Sequence, residues 1–254
     1  MPTCRSTSPA ARGSGHEDGD DLSAGLGAVA NSLQGGTMSA APVLSVKDLA
    51  TTIQAMPALR GLSLEVGEGE MVSLVGRNGA GKTSFMRTVM GHLKPTGGSM
   101  QLAGQDLAAL PRHARAGLGI GYMPEDRGLV PQLTVEENVL LPLWANPGLP
   151  RAERLALAWK LLPEVEQMRE RRALLLSGGQ QKLVALARAL AVGTRLLLLD
   201  EPFEGVAPAL AQRLAEVIRA LQGGRLAVLI SQSDTQHAAG LFDREVGIER
   251  GANA

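Results

Sequence analysis

The segment Gly76-Arg77-Asn78-Gly79-Ala80-Gly81-Lys82-Thr83 has the spacing G-x-x-x-x-G-K-S/T, a pattern suited to holding phosphate. Its glycines permit a tight turn that aims successive backbone N–H groups inward, and a helix starting there adds positive potential. Lys82 would reach the β and γ phosphates of a nucleoside triphosphate, Thr83 would offer a hydroxyl to Mg2+, and Ser84 continues the same turn. An ordinary glycine-rich loop is the alternative. The strand-like run Met71–Val75 before it and the helical stretch ending near Gly91 after it favour the phosphate reading.

Asp200 and Glu201 end a run of four leucines, 196 to 199, that lacks polar alternation, as expected of a central parallel strand buried on both faces. Both acids therefore fall at the C-terminal edge of a strand, where open α/β sheets bind ligands. Asp200 can hold magnesium through water, and Glu201 is placed to polarise a water attacking the γ phosphate. Alone, the pair would read as a solvated turn; a phosphate loop elsewhere in the chain reverses that. A third element is Leu176-Ser177-Gly178-Gly179-Gln180-Gln181-Lys182, followed by Leu183, Leu186, Ala187, Leu190 and Ala191 at helical spacing. It reads as a helix start capped by Ser177, with free N–H groups pointing ahead of it.

The rest of the chain must position these groups. From Val43 onward short β-rich runs alternate with helical ones, which predicts a parallel sheet flanked by helices. Strands are expected at Leu62–Val66, Met71–Val75, Leu118–Met123, Leu196–Leu199 and Leu226–Ile230. Helices are expected at about Gly178–Val192 and through Leu210, Leu214, Val217 and Leu221. Thr134 and Glu137 have capping-box spacing, and Leu155, Trp159 and Leu162 mark one helical face before Pro163, so residues 126–176 read as a helical insertion. Within it, Leu129, Val130 and Leu133 are either exposed docking residues or ordinary core. Residues 1–37 are rich in Gly, Ser, Ala and Asp without apolar periodicity and lack the form of a signal peptide, so they are expected to be disordered; Met38 is an alternative start.

Composition narrows the function classes. The 254 residues, 44% hydrophobic, suffice for one large domain or two modest ones. Lys+Arg 25 against Asp+Glu 25 leaves no basic footprint for nucleic acid, and 2% aromatics leave few stacking platforms. Cys4 is alone, which excludes a disulfide framework or a multi-cysteine zinc site, and the histidines at 16, 92, 113 and 237 lack metal-ligand spacing. Arg188, Gly193 and Arg195 interrupt the most hydrophobic stretch, so no run reaches the roughly 18 residues of a membrane helix.

Leu-Ser-Gly-Gly-Gln between a phosphate loop and a leucine-rich Asp-Glu strand resembles the ATP-binding-cassette (ABC) family, over roughly residues 43–251. The fold this implies is α/β: a P-loop NTPase with an ABC-type mixed sheet core across 38–254 and the helical insertion at about 126–176. More narrowly, the strings Gly121-Tyr122-Met123-Pro124-Glu125, Leu133-Thr134-Val135-Glu136-Glu137-Asn138 and Asp200-Glu201-Pro202-Phe203-Glu204-Gly205-Val206-Ala207-Pro208 are similar to ATPase subunits of branched-chain amino acid importers. In that resemblance Glu125 takes the place of a loop glutamine and joins Thr83 and Asp200 at the metal. Gln232 takes the place of a switch histidine and joins Glu201 in catalysis.

The resemblance further implies a head-to-tail dimer binding ATP and Mg2+. Each ATP would lie between Gly76, Arg77, Asn78, Gly79, Ala80, Gly81, Lys82, Thr83 and Ser84 of one subunit and Ser177, Gly178, Gly179 and Gln180 of the other. The implied partners are membrane permease subunits, a second ATPase subunit and, indirectly, an extracytoplasmic solute-binding protein, with no nucleic acid. The implied place is the cytoplasmic face of the membrane, and the implied work is ATP hydrolysis driving import of branched-chain amino acids or a similar small polar solute. Three positions depart from the pattern: Ile53 stands where an aromatic would stack on adenine, Ser231 where an acid would precede Gln232, and a further strand and helix would follow Gly251. Two alternatives remain: a soluble ABC-superfamily ATPase of DNA repair or translation, and a weakly hydrolysing nucleotide-dependent regulator.

Overall fold

A computed structural model describes residues 41–233 and 240–254. The expected disordered extension, 1–37, and Met38 lie outside the described residues.

Two sheets and the helices between and beside them build the core. The first is antiparallel, in the order β2-β1-β4-β5, from β1 (Leu44–Ile53), β2 (Met56–Val66), β4 (Pro95–Leu102) and β5 (Gln105–Asp106). The second has the order β10-β9-β3-β8-β7-β6, from β3 (Met71–Val75), β6 (Ile120–Met123), β7 (Leu196–Asp200), β8 (Ala227–Gln232), β9 (Arg244–Glu249) and β10 (Ala252–Asn253). Its pairs are parallel except β9 with β10, so the sheet is mixed, as the resemblance implied. The helices are α1 (Lys82–Val89), α2 (Arg112–Gly117), α3 (Val135–Trp144), α4 (Arg151–Leu161), α5 (Pro163–Glu166), α6 (Gly178–Val192) and α7 (Pro208–Arg219).

The four leucines of β7 are wholly buried because each face of the sheet meets its own core. Leu197 and Leu199 pack with α3, α4, α6 and α7, while Leu196 and Leu198 pack with α1 and the antiparallel sheet. Each such side chain contributes about 1.5–3 kcal/mol against exposure, so a polar substitution in β7 would open one of two cores.

Several boundaries differ from the sequence expectations. The strand expected at Leu62–Val66 begins at Met56 and pairs along β1. β4 was not expected: its sequence PTGGSMQL buries only Met100 and Leu102, too little alternation to signal a strand. The strand expected from Leu118 begins at Ile120, since Leu118 caps α2 and Gly119 turns the chain at φ 89°. β8 runs two residues beyond Ile230, because Ser231 and Gln232 find buried polar partners.

The helical part of the expected insertion starts at Val135, after an irregular stretch. There Thr134 accepts from Glu137 N at 3.1 Å while the Glu137 carboxylate accepts from Thr134 N at 2.7 Å, the capping box read from spacing. Trp159 and Leu162 are buried and Leu155 is half-buried. Of the three proposed docking residues only Val130 is exposed; Leu129 packs against the larger core and Leu133 is half-buried.

Candidate functional site

The phosphate loop joins β3 to α1. Gly81, at φ 114°, caps α1 in a conformation that favours glycine, and a Cβ there would also stand only 3.0 Å from Ala58 O. Gly79, Asn78, Gly81, Lys82, Thr83 and Ser84 line a cavity of about 520 Å³, whose other walls include Arg60, Glu125, Glu201 and Arg250. Gly76, Arg77 and Ala80 do not line it. They build the turn instead: Gly76 N donates to Gln232 O, Ala80 N to Arg77 O, and the Arg77 carbonyl accepts from Lys82.

Lys82 is buried and its Nζ donates to Gly76 O at 2.6 Å and Arg77 O at 3.0 Å while pairing with Glu201 Oε1 at 2.9 Å. Thr83 Oγ1 lies 3.2 Å from Asp200 Oδ1 and 3.4 Å from Glu125 Oε2; its one proton can serve only one of them at a time. Asp200 is wholly buried and its Oδ2 has no hydrogen-bond partner among the described residues. Burial pushes the Asp200 pKa up, against the opposing hydrogen bonds from Ser231 and Thr83. A hard divalent cation fits this oxygen set: Thr83 hydroxyl, the orphaned Asp200 oxygen and the exposed Glu125 carboxylate.

Glu201 occupies the left-handed region at φ 48°, unusual for a residue other than glycine. Its N–H donates to Ser231 O at 3.2 Å and Ser231 Oγ at 3.0 Å, and its Oε2 accepts from Ser233 N at 3.2 Å. Ser231 Oγ in turn donates to Asp200 Oδ1 at 2.6 Å. A serine at this departure from the family pattern therefore ties both acids together.

Gln232 does not enter the cavity. It falls on the strand face opposite Ser231, so its Nε2 donates to Ser73 Oγ at 2.7 Å while its buried Oε1 has no partner among the described residues. Ser177, Gly178, Gly179 and Gln180 also lie outside the cavity of their own chain. Ser177 and Gly178 are exposed, and Ser177 and Gln180 close a capping box on α6. Ile53 is 40% exposed at the end of β1 and does not wall the cavity.

The site motifs in the sequence give no role to Ser231, Ser233, Arg60, Arg250 or Lys182. Only Ser231 carried a signal, as a small hydroxyl at the end of an apolar strand. A second concavity, a groove of about 600 Å³, runs from Thr83, Arg87 and Met90 past Tyr122, Glu125 and Asp126 to Pro142, Arg188 and Val192. Burial raises the Tyr122 pKa there. Among the described residues no helix is long and apolar enough to cross a membrane.

Comparison with known proteins bears on this geometry. The family model described as ABC transporter matches residues 59–204. The lipopolysaccharide export system ATP-binding protein LptB of Escherichia coli is 34% identical over 210 residues, 82% of this chain and 87% of that protein. The high-affinity branched-chain amino acid transport ATP-binding protein BraG of Pseudomonas aeruginosa is also 34% identical, over 82% of this chain and 90% of its own. A dimeric ATP-binding cassette solved in a post-hydrolysis state with ADP and Pi superposes with a TM-score of 0.73 at 26% identity, covering 83% of this chain and 96% of that one. With phosphate loop, acid-ended strand and capped α6 on one scaffold, the chain belongs to the ABC transporter family as an ATP-binding subunit, an ATPase whose hydrolysis is coupled to transport.

Proposed function

We propose that this subunit energises an importer of branched-chain amino acids or a similar small polar solute, from the cytoplasmic face of the membrane. The observation that carries the ATPase part is that Lys82, Thr83 and Glu201 line one cavity, with Lys82 paired to Glu201 at 2.9 Å and Thr83 Oγ1 3.2 Å from Asp200 Oδ1 beside it. Lys82 binds the β and γ phosphates, and the backbone of the lining residues Asn78, Gly79 and Gly81 to Ser84 orients them. Glu201 takes the proton from the attacking water, held in place by Ser231 and Ser233. Thr83 and Asp200, with Glu125 beside them, would hold Mg2+, which neutralises charge on the phosphates when bound. Gln232 would have to leave Ser73 to reach the γ phosphate, so its catalytic role requires a rearrangement of the end of β8.

Ser177, Gly178, Gly179 and Gln180 are assigned to the ATP of a second copy, or of a paired homologue, since they lie outside their own chain's cavity. The dimeric relative with ADP and Pi supports that assembly. The groove beside Glu125 is assigned to the permease subunits, with a solute-binding protein outside the membrane delivering the cargo. Glu125 and Gln232, in the places of glutamine and histidine, support the amino-acid reading.

A second reading, lipopolysaccharide export, has equal identity to LptB in its favour. Deleting the gene and measuring uptake of labelled leucine separates the two. Loss of uptake, restored by the wild-type gene and not by Lys82→Ala, is expected. Normal uptake with lipopolysaccharide missing from the cell surface would establish the export reading instead.

A further inference from the structure

Lys182 is 5% exposed and lies in the second turn of α6, just beyond Ser177–Gln180. Its Nζ donates to Glu201 O at 3.1 Å, to Pro202 O at 3.1 Å and to Glu204 O. An ammonium has three protons and no acceptor, so these three carbonyls saturate it. All three belong to the segment that leaves β7 at Glu201.

Glu201 needs such holding. Its left-handed backbone is a strained state that persists only where surrounding contacts over-determine it. Ser231 grips the peptide before Glu201 through its N–H, and Lys182 grips the peptide after it through its carbonyl. We propose that Lys182 is a positioning residue for ATP hydrolysis, fixing the direction in which the Glu201 carboxylate enters the phosphate cavity. The proposal rests on the reading of Glu201 as the base. The same helix carries Arg188, whose guanidinium donates to Arg127 O at 2.6 Å and to Gly128 O just beyond Glu125. One rigid helix thus anchors the segments behind both Glu125 and Glu201, and a displacement of α6 would move these acids relative to Lys82.

The competing account is that Lys182 merely satisfies buried carbonyls, in which case its loss affects folding and leaves the chemistry of folded molecules intact. The test uses the full-length chain, assayed with Mg2+ and ATP below the melting midpoint of each variant. Lys182→Met should lower kcat about tenfold with KM and ATP affinity within about threefold, because only transition-state geometry suffers. Lys182→Arg, a buried cation that still donates to carbonyls, should recover at least about a third of the wild-type rate. In a Glu201→Gln background, Lys182→Met should add no further loss, since the group it positions is already inert. Should Lys182→Met fail to fold, Lys182→Gln, which can still donate to two of the three carbonyls, should lower kcat by less than tenfold with KM unchanged, and a wild-type kcat there overturns the proposal.

A wild-type kcat in Lys182→Met, a rate loss matched by lost ATP affinity, or a full further tenfold loss in the Glu201→Gln background would overturn the proposal. The premise is read separately. A Glu201→Gln chain hydrolysing at the wild-type rate overturns the base assignment and this inference with it; an inactive Glu201→Gln beside a fully active Lys182→Met overturns Lys182 alone.

Discussion

Lys82 Nζ stands 2.9 Å from Glu201 Oε1, and their side chains are 4% and 6% exposed. The cation proposed to meet the γ phosphate is thus paired with the acid proposed to act on it. On that reading, a phosphate bound at Lys82 would exchange one anion for another and free Glu201 beside it.

If so, Glu201→Gln releases Lys82 and removes a negative charge facing the phosphates. ATP should bind about threefold to tenfold more tightly, while turnover falls by about 10² or more with the loss of the base. Equilibrium binding of a fluorescent ATP analogue and phosphate release measure the two halves. Light scattering should show an ATP-dependent dimer. Turnover at the wild-type rate would move the base elsewhere.

Lys82→Ala should abolish ATP binding and also destabilise the free chain, because it strands a buried carboxylate. Breaking a buried pair from one side typically costs about 3–5 kcal/mol. The double variant Lys82→Ala/Glu201→Gln should regain much of that stability in urea melts and still fail to bind ATP. Equal stability of the single and double variants would show that the pair contributes nothing.

Asp200 gives a pH signature of unusual sign. Burial raises its folded pKa above the ordinary value of 3.8, so between these two values the folded chain holds a proton that the unfolded chain has lost. Its contribution to stability is full below 3.8 and is lost as pH rises through the folded pKa, the reverse of a salt-bridged carboxylate. Asp200→Asn should flatten this dependence and raise the Tm measured without nucleotide near neutral pH. The same variant should lose the extra stabilisation that Mg2+ gives with ATP. Thermal melts from acid to neutral pH, with and without Mg2+ and ATP, check both.

Arg87 is exposed on the last turn of α1 and lines the groove assigned to the permease. Arg87→Glu should leave Tm and ATP affinity of the isolated chain unchanged, since it breaks no buried contact, while reducing co-purification with the membrane subunits and partner-stimulated ATPase activity about tenfold. Normal co-purification would place docking elsewhere.

The phosphate loop, the acid-ended strand and the capped start of α6 are legible in the residue order alone, because each is local. Gly76–Thr83 encodes its own turn, the leucines at 196–199 encode burial on two faces, and Ser177 and Gln180 close their own cap. The capping box at Thr134 and Glu137 was legible for the same reason. Which of these groups meet depends on long-range packing. Ser231 reaches Asp200 and Glu201 because β7 and β8 are paired in a register that sets Asp200 beside Ser231. Gln232, one residue on, turns to Ser73 by strand alternation. Lys182 meets the Glu201 segment only because α6 packs across the end of β7. Side-chain direction along a strand can be counted from sequence, but register and helix placement are fixed by contacts between residues far apart in the chain.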